Sequence, residues 1–242
     1  MAGRVFLRGD THGDFDFLPY FCEENETDKH DVLIILGDAG ILYYGDKSMR
    51  ERELKQYISD QPITIVCIRG NHEQRPEKYN ENMYSVWIHN ENYAGEFMYE
   101  SGFPDILYTK DGFTYHFGDK NCLAIGGAYS VDKWYRLQVG YKWFEDEELT
   151  PEEMEQILVT SSGKEYDYIF THTCPYEWMP TDLFLPWVDQ NTVSNEMERF
   201  LTKLKDDCLW HHWYFGHFHA DRDDVCGDGK VTMLYNKTVQ IV

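Results

Sequence analysis

Short apolar, β-branched runs recur at residues 5–8, 31–36, 63–68, 166–170 and 210–215, and each is cut off by glycine or a polar turn. Runs of this length with such endings predict strands. Between the first three lie segments of helical character, residues 15–24 and 46–59. That alternation implies a parallel sheet covered by helices, an α/β fold. From residue 87 to 128 the pattern changes to aromatic-rich strands broken at Gly102-Phe103-Pro104, Asp111-Gly112 and Gly118-Asp119. These breaks are hairpin signals and predict a second, more antiparallel sheet. A helix is predicted over 151–161, with Thr150 as N-cap, Pro151 in the first turn, and Glu152 and Glu153 at its positive end. Another is predicted over 194–204 with Ser194 as cap. The tail, 231–235 and 238–242 around Asn236-Lys237, reads as a closing hairpin.

Composition narrows the class. The 242 residues, 42% of them hydrophobic, fit one domain spanning 1–242, without repeat or linker. No apolar run approaches the ~18 residues of a membrane span. Met1-Ala2-Gly3-Arg4 enters a predicted strand with no basic-then-apolar leader, so a cytoplasmic protein is expected. Six cysteines are scattered without the close pairs of a structural zinc module, which suits reduced, mostly buried thiols. Asp plus Glu number 43 against 22 Lys plus Arg, a net charge of −21, so non-specific nucleic-acid binding is disfavoured.

Metal-ligand residues follow the predicted strands. They lie in Gly9-Asp10-Thr11-His12, Gly37-Asp38, Gly70-Asn71-His72-Glu73, Thr171-His172 and Gly216-His217-Phe218-His219, with Arg69 leading into the third. In open α/β sheets ligands bind beyond the carboxyl ends of the strands. Asp10 and His12 stand two apart, as do His217 and His219; in extended backbone such pairs point the same way. Two Asp, one Asn and four His suit two divalent ions sharing a carboxylate, a site for hydrolysing phosphate esters. Those donors accommodate Mn, Fe, Zn, Ni or Co. His30, His89, His116, His211 and His212 read as packed or surface residues.

The ordered set Asp-x-His, Gly-Asp, Gly-Asn-His-Glu, His and Gly-His-x-His resembles the calcineurin-like metallophosphoesterase superfamily, from Asp10 to His219. The resemblance implies a four-layer α-β-β-α sandwich of two mixed sheets. It implies that Asp10, His12 and His219 hold one metal, that Asp38 bridges, and that Asn71, His172 and His217 hold the second. A metal-activated hydroxide would attack phosphorus, Asn71 would help stabilise the transition state, and His72 would protonate the leaving oxygen. The protein-phosphatase branch continues its second motif as Gly-Asp-x-x-Asp-Arg-Gly, whereas here Ile41 and Leu42 replace the carboxylate and the arginine. Asp46 and Glu73 are left as candidates to orient His72. Arg8 and Arg69 either touch phosphate or form structural salt bridges. Residues 126–136 read either as a loop over the metals, with Tyr135 or Arg136 on substrate, or as an ordinary surface loop. The expectation is hydrolysis of a small phosphodiester or phosphomonoester. The alternatives are a serine/threonine protein phosphatase-like enzyme and a non-catalytic scaffold of the same fold.

Overall fold

Apolar residues that alternate with tight turns build the sheet first in the computed structural model, which describes residues 3–242. In chain order the elements are β1 (Val5–Arg8), α1 (Leu18–Asn25), β2 (Val32–Leu36), α2 (Met49–Ser59), β3 (Thr64–Ile68), β4 (Met83–His89), β5 (Tyr93–Glu100), β6 (Ile106–Thr109), β7 (Phe113–Phe117) and β8 (Lys120–Ile125). There follow α3 (Lys133–Val139), α4 (Pro151–Ser161), β9 (Glu165–Thr171), α5 (Glu196–Asp207), β10 (Leu209–Phe215), β11 (Val231–Met233) and β12 (Val239–Gln240). Met1 and Ala2, read above as leading into β1 without a leader, lie outside the described residues. No helix among the described residues is long and apolar enough to cross a membrane.

The result is a mixed α/β protein with two parallel blocks. One is β1, β2, β3 and β6, and the other is β8, β9, β10 and β11. They are joined through antiparallel β5 and β7. The sequence suggested two sheets, but the twelve strands form one curled sheet, because β5 divides its pairing. Phe97 to Tyr99 pair with β6, while Tyr93 and Ala94 pair with β7. The antiparallel region also begins earlier than residue 87, since β4 starts at Met83 and runs its whole length against β5. The tail is not a hairpin. β11 pairs in parallel with β10, and β12 pairs with β1, so the two occupy opposite edges of the sheet. The Asn236-Lys237 turn is held instead by the Asp221 carboxylate, which accepts from the amides of Tyr235, Asn236 and Lys237.

Helix ends follow local chemistry. Thr150 and Glu153 form a reciprocal capping box on α4. The Ser48 hydroxyl accepts from Glu51 N to start α2, three residues after the expected start. α5 begins after Asn195 rather than Ser194, whose hydroxyl donates to Glu148. α5 buries Met197, Phe200, Leu201 and Leu204, an i, i+3, i+4, i+7 stripe. Three apolar clusters result: one under α1 and α2, one contributed by strands such as Leu7, Ile34, Phe97 and Phe170, and one under α4 and α5. Five of the six cysteines are buried in these layers, and all six are free thiols.

Candidate metal centre

Each donor loop leaves the C-terminal end of a parallel strand. Asp10 and His12 follow β1, Asp38 follows β2, Asn71 and His72 follow β3, His172 follows β9, and His217 and His219 follow β10. The backbone there is not extended. His12, Asp38, His217 and His219 have φ of 49°, 49°, 69° and 51°, and among the described residues the other non-glycine residue with positive φ is Glu26. Left-handed conformations of this kind cost energy and persist where surroundings force them. The equivalence drawn from i, i+2 spacing is therefore corrected at its physical root, since tight left-handed turns aim the side chains. Two glycines show how close the packing is. A Cβ on Gly70 would collide with the Asp38 carboxylate, and one on Gly37 with the His172 ring.

These turns bring the donors together in three overlapping groups: Asp10, His12 and His219; His12, Asp38 and His72; and Asp10, Asp38 and His172. Ligand atoms within a group lie within 4.8 Å of one another. Asp10 Oδ2 is 3.4 Å from His219 Nε2, and Asp38 Oδ2 is 3.7 Å from both His72 Nδ1 and His172 Nε2. Asn71 joins through its Oδ1, 2.8 Å from His172 Nε2, and the His217 ring lies 4.9 Å from that of His172.

The donor set is built to receive cations. Asp10 Oδ2 is buried without a hydrogen-bond partner, a costly state for a carboxylate unless a positive charge meets it. His172 Nδ1 lies 2.8 Å from the Leu36 carbonyl, which assigns the proton to Nδ1 and leaves Nε2 as an electron-pair donor. Asn71 Nδ2 donates to Ser130 Oγ at 2.8 Å, and Ser130 Oγ donates to Glu147 at 2.5 Å, so the amide oxygen is turned toward His172. Burial drives His217 down to about 3, with the neighbouring His172 adding to it, and keeps the ring neutral. Burial works against the Asp38 charge, yet His172, His72 and His12 outweigh it and hold its pKa below the usual carboxylate range. The residues present fit divalent metal.

His72 stands at the rim of this cluster. The carboxylate beside it is Asp132, with Oδ1 3.5 Å from Nε2, rather than Glu73. Glu73 accepts from the amides of Gly40 at 2.7 Å and Gly70 at 3.1 Å and so ties the second and third motifs together. Burial and the nearby Asp38 push its pKa up to about 8. Arg136 Nη1 lies 3.1 Å from His72 Nδ1 and 3.4 Å from Asp132, and its Nε donates to the Lys142 carbonyl. Burial lowers the His72 pKa, but the charge of Asp38 and the Asp132 carboxylate overcome this and raise it. The stretch 126–136 is thus part loop and part α3, with Arg136 buried. Tyr135 is mostly exposed and packs edge-on against Tyr141.

The other two arginines are engaged in the fold. Arg8 lies over the Phe17 ring at 3.8 Å and donates to Asn236 O. Arg69 is buried, paired with Asp111 at 3.0 Å and donating to Glu147 O. Ile41 and Leu42, where a carboxylate and an arginine would stand in the protein-phosphatase pattern, are buried in the core under α1 and α2. Sequence reasoning missed Asp132, Ser130 and Glu147, and it missed residues 179–195, whose short 3-10 turns at Thr181–Leu183 and Gln190–Thr192 wall a cavity beside the donors.

Buried carboxylates, an amide oxygen and imidazoles converging at parallel strand ends define a metal-binding α/β protein. The chain belongs to the calcineurin-like phosphoesterase family, whose family model matches residues 3–221. Family and donor cluster together support metal-dependent phosphoester hydrolysis. Among curated proteins none matches the chain.

Proposed function

We propose that the protein is a dinuclear metal-dependent hydrolase of a small phosphate ester. The observation that carries this reading is the convergence of donors from five strand ends in three overlapping groups, which share Asp10, His12 and Asp38. Asp10, His12 and His219 would hold one ion and Asn71, His172 and His217 the other, with Asp38 shared between them. The chemistry that two divalent ions supply in such a site is Lewis acidity, which acidifies a water and neutralises phosphate charge. The protein supplies the rest. Asn71, fixed by Ser130, presents a neutral oxygen that adds no charge against the phosphate. His72, with Asp132 and Arg136 at its ring nitrogens, is placed to hand a proton to the leaving oxygen. In this reading Asp132, just before α3, and Arg136 within it take the place of the carboxylate and guanidinium that Ile41 and Leu42 leave out. The curled sheet with its three stacked apolar clusters is read as equivalent to a four-layer sandwich.

The test is turnover of p-nitrophenyl phosphate and bis-p-nitrophenyl phosphate with Mn²⁺, with Asp38→Asn as the control. Mn²⁺-dependent hydrolysis of at least one ester is expected. Asp38→Asn should lose more than the roughly 10–100-fold that follows loss of an outer-sphere partner. Two bound ions with no hydrolysis of either ester would replace this reading with a non-catalytic scaffold.

A further inference from the structure

The donors form one end of a cavity of about 270 Å³, and the other end is apolar. Asp38, Asn71, His72, His217 and His219 line the first end, Leu183, Phe184, Leu185, Val188 and Val193 line the second, and Phe218, its ring 4.9 Å from that of His217, adjoins the donors. Most of that apolar wall comes from residues 179–195, which lead into α5 and carry no donor of the metal cluster. Among the described residues lining the cavity there is no lysine or arginine. The charged side chains outside the donor set are Asp132 and Glu198, both acidic. Glu198 is buried, accepts from Thr173 Oγ1 at 2.8 Å, and leaves its Oε2 without a hydrogen-bond partner.

Three substrate classes can be weighed against this lining. A nucleic-acid strand or a phosphoprotein has a polar backbone that gains nothing from the apolar wall, and a cavity of about 270 Å³ holds only a small organic group. A nucleoside polyphosphate brings further negative charges, and the cavity offers them carboxylates instead of guanidinium or ammonium groups. An apolar group attached to a single phosphate gains from burial against Phe184, Val188 and Phe218, and it brings no second negative charge against Glu198.

We infer that the cavity is a specificity pocket for the organic group of a monophosphate ester, and that this group is a compact aryl or branched alkyl moiety. The inference rests on the phosphoesterase reading for the phosphate, and on the wall at 183–193 for the organic group. Phosphorus lies at the Asp38–Asn71 end and the apolar group between Phe184 and Phe218. Phe184 and Val188 are only partly buried and belong to a turn-rich segment, so truncating them leaves the core intact.

Calorimetric binding of phenylphosphonate and methylphosphonate to the Mn²⁺-loaded protein tests this, because neither is hydrolysed. Phenylphosphonate is expected to bind about tenfold tighter or better, on the scale of burying one ring. In the double variant Phe184→Ala, Val188→Ala the preference should shrink to less than about threefold, with methylphosphonate affinity unchanged. Equal affinities in the wild type, or a preference that survives in the double variant, would overturn the pocket. Either result leaves the hydrolysis of p-nitrophenyl esters standing as a separate measurement. Conversely, a phenyl preference in a protein that hydrolyses neither p-nitrophenyl ester upholds the pocket and sinks the hydrolase reading.

Discussion

The two ends of the cavity are built by opposite means. At the donor end, short loops leave parallel strands and pass through left-handed turns at His12, Asp38, His217 and His219. Their side chains are then locked by neighbouring backbone: His217 N donates to Asp10 at 2.8 Å, and His72 N donates to Asp38 at 2.8 Å. At the apolar end, residues 179–195 use isolated 3-10 turns and partly exposed side chains, and no strand or long helix runs through them. The contrast separates two tasks. Chemistry needs atoms held to within a fraction of an ångström, which turns anchored at the ends of interior strands provide. Selection of an organic group would need shape and apolar area, and the wall of loop residues at 179–195 carries these without contributing a side chain to the donor cluster.

Breaking the rigid end should give the largest effect. Gly70→Ala puts a methyl group into the Asp38 carboxylate and backbone amide. Mn²⁺ affinity and turnover should both fall by more than about a hundredfold, beyond the loss seen for outer-sphere partners. Metal titration followed by assay checks this. Unchanged values for both would mean that close backbone approach does not hold Asp38. A smaller effect is expected at the junction of the two ends, where Asp132 and Arg136 reach His72. Asp132→Asn removes the carboxylate beside Nε2, so an ester with a poor leaving group, such as an alkyl phosphate, should slow by about tenfold to a hundredfold. p-Nitrophenyl phosphate, whose leaving group needs little help from a proton, should change far less. Equal losses on both substrates would assign Asp132 a purely structural part.

Legibility in the sequence divides along the same line. The gathering of Asp10, His12, Asp38, His172 and His219 was readable because each follows a strand-like run within a few positions, and the α4 start because Thr150 and Glu153 signal locally. What depended on long-range contact was not. Ser130 reaches Asn71 across 59 positions and Glu147 across 17, and no local pattern announces either. α3 is seven residues long and carries exposed Trp134, Tyr135, Leu137 and Val139, so its apolar positions do not trace a buried face. The single curled sheet depends on β5 switching partners along its length, and alternation within a strand does not encode its neighbours. The tail looked like a hairpin because Asn236-Lys237 is turn-like, yet Asp221, fourteen to sixteen positions away, holds that turn.

The smallest expected effect is on stability, and it sharpens the comparison by locating a cost at the apolar end. Glu198 lines the cavity there, and burial pushes its pKa up to about 7, against 4.5 for the ordinary group. Below pH 4.5 the folded and unfolded chains both hold the proton. Between 4.5 and about 7 the unfolded chain releases it while the folded chain retains it, so stability falls as pH rises through that window. Above it the folded protein carries a buried charge with one hydrogen bond, from Thr173, and the penalty is complete. Glu198→Gln keeps the shape and removes the charge. Its advantage over wild type should be near zero at pH 3.5, where both states hold the proton, and grow to a plateau above pH 7, at most about 3 kcal/mol. Paired denaturant melts across that range measure the difference directly. An advantage that does not change with pH would show that Glu198 is not the group whose ionisation the apolar wall resists.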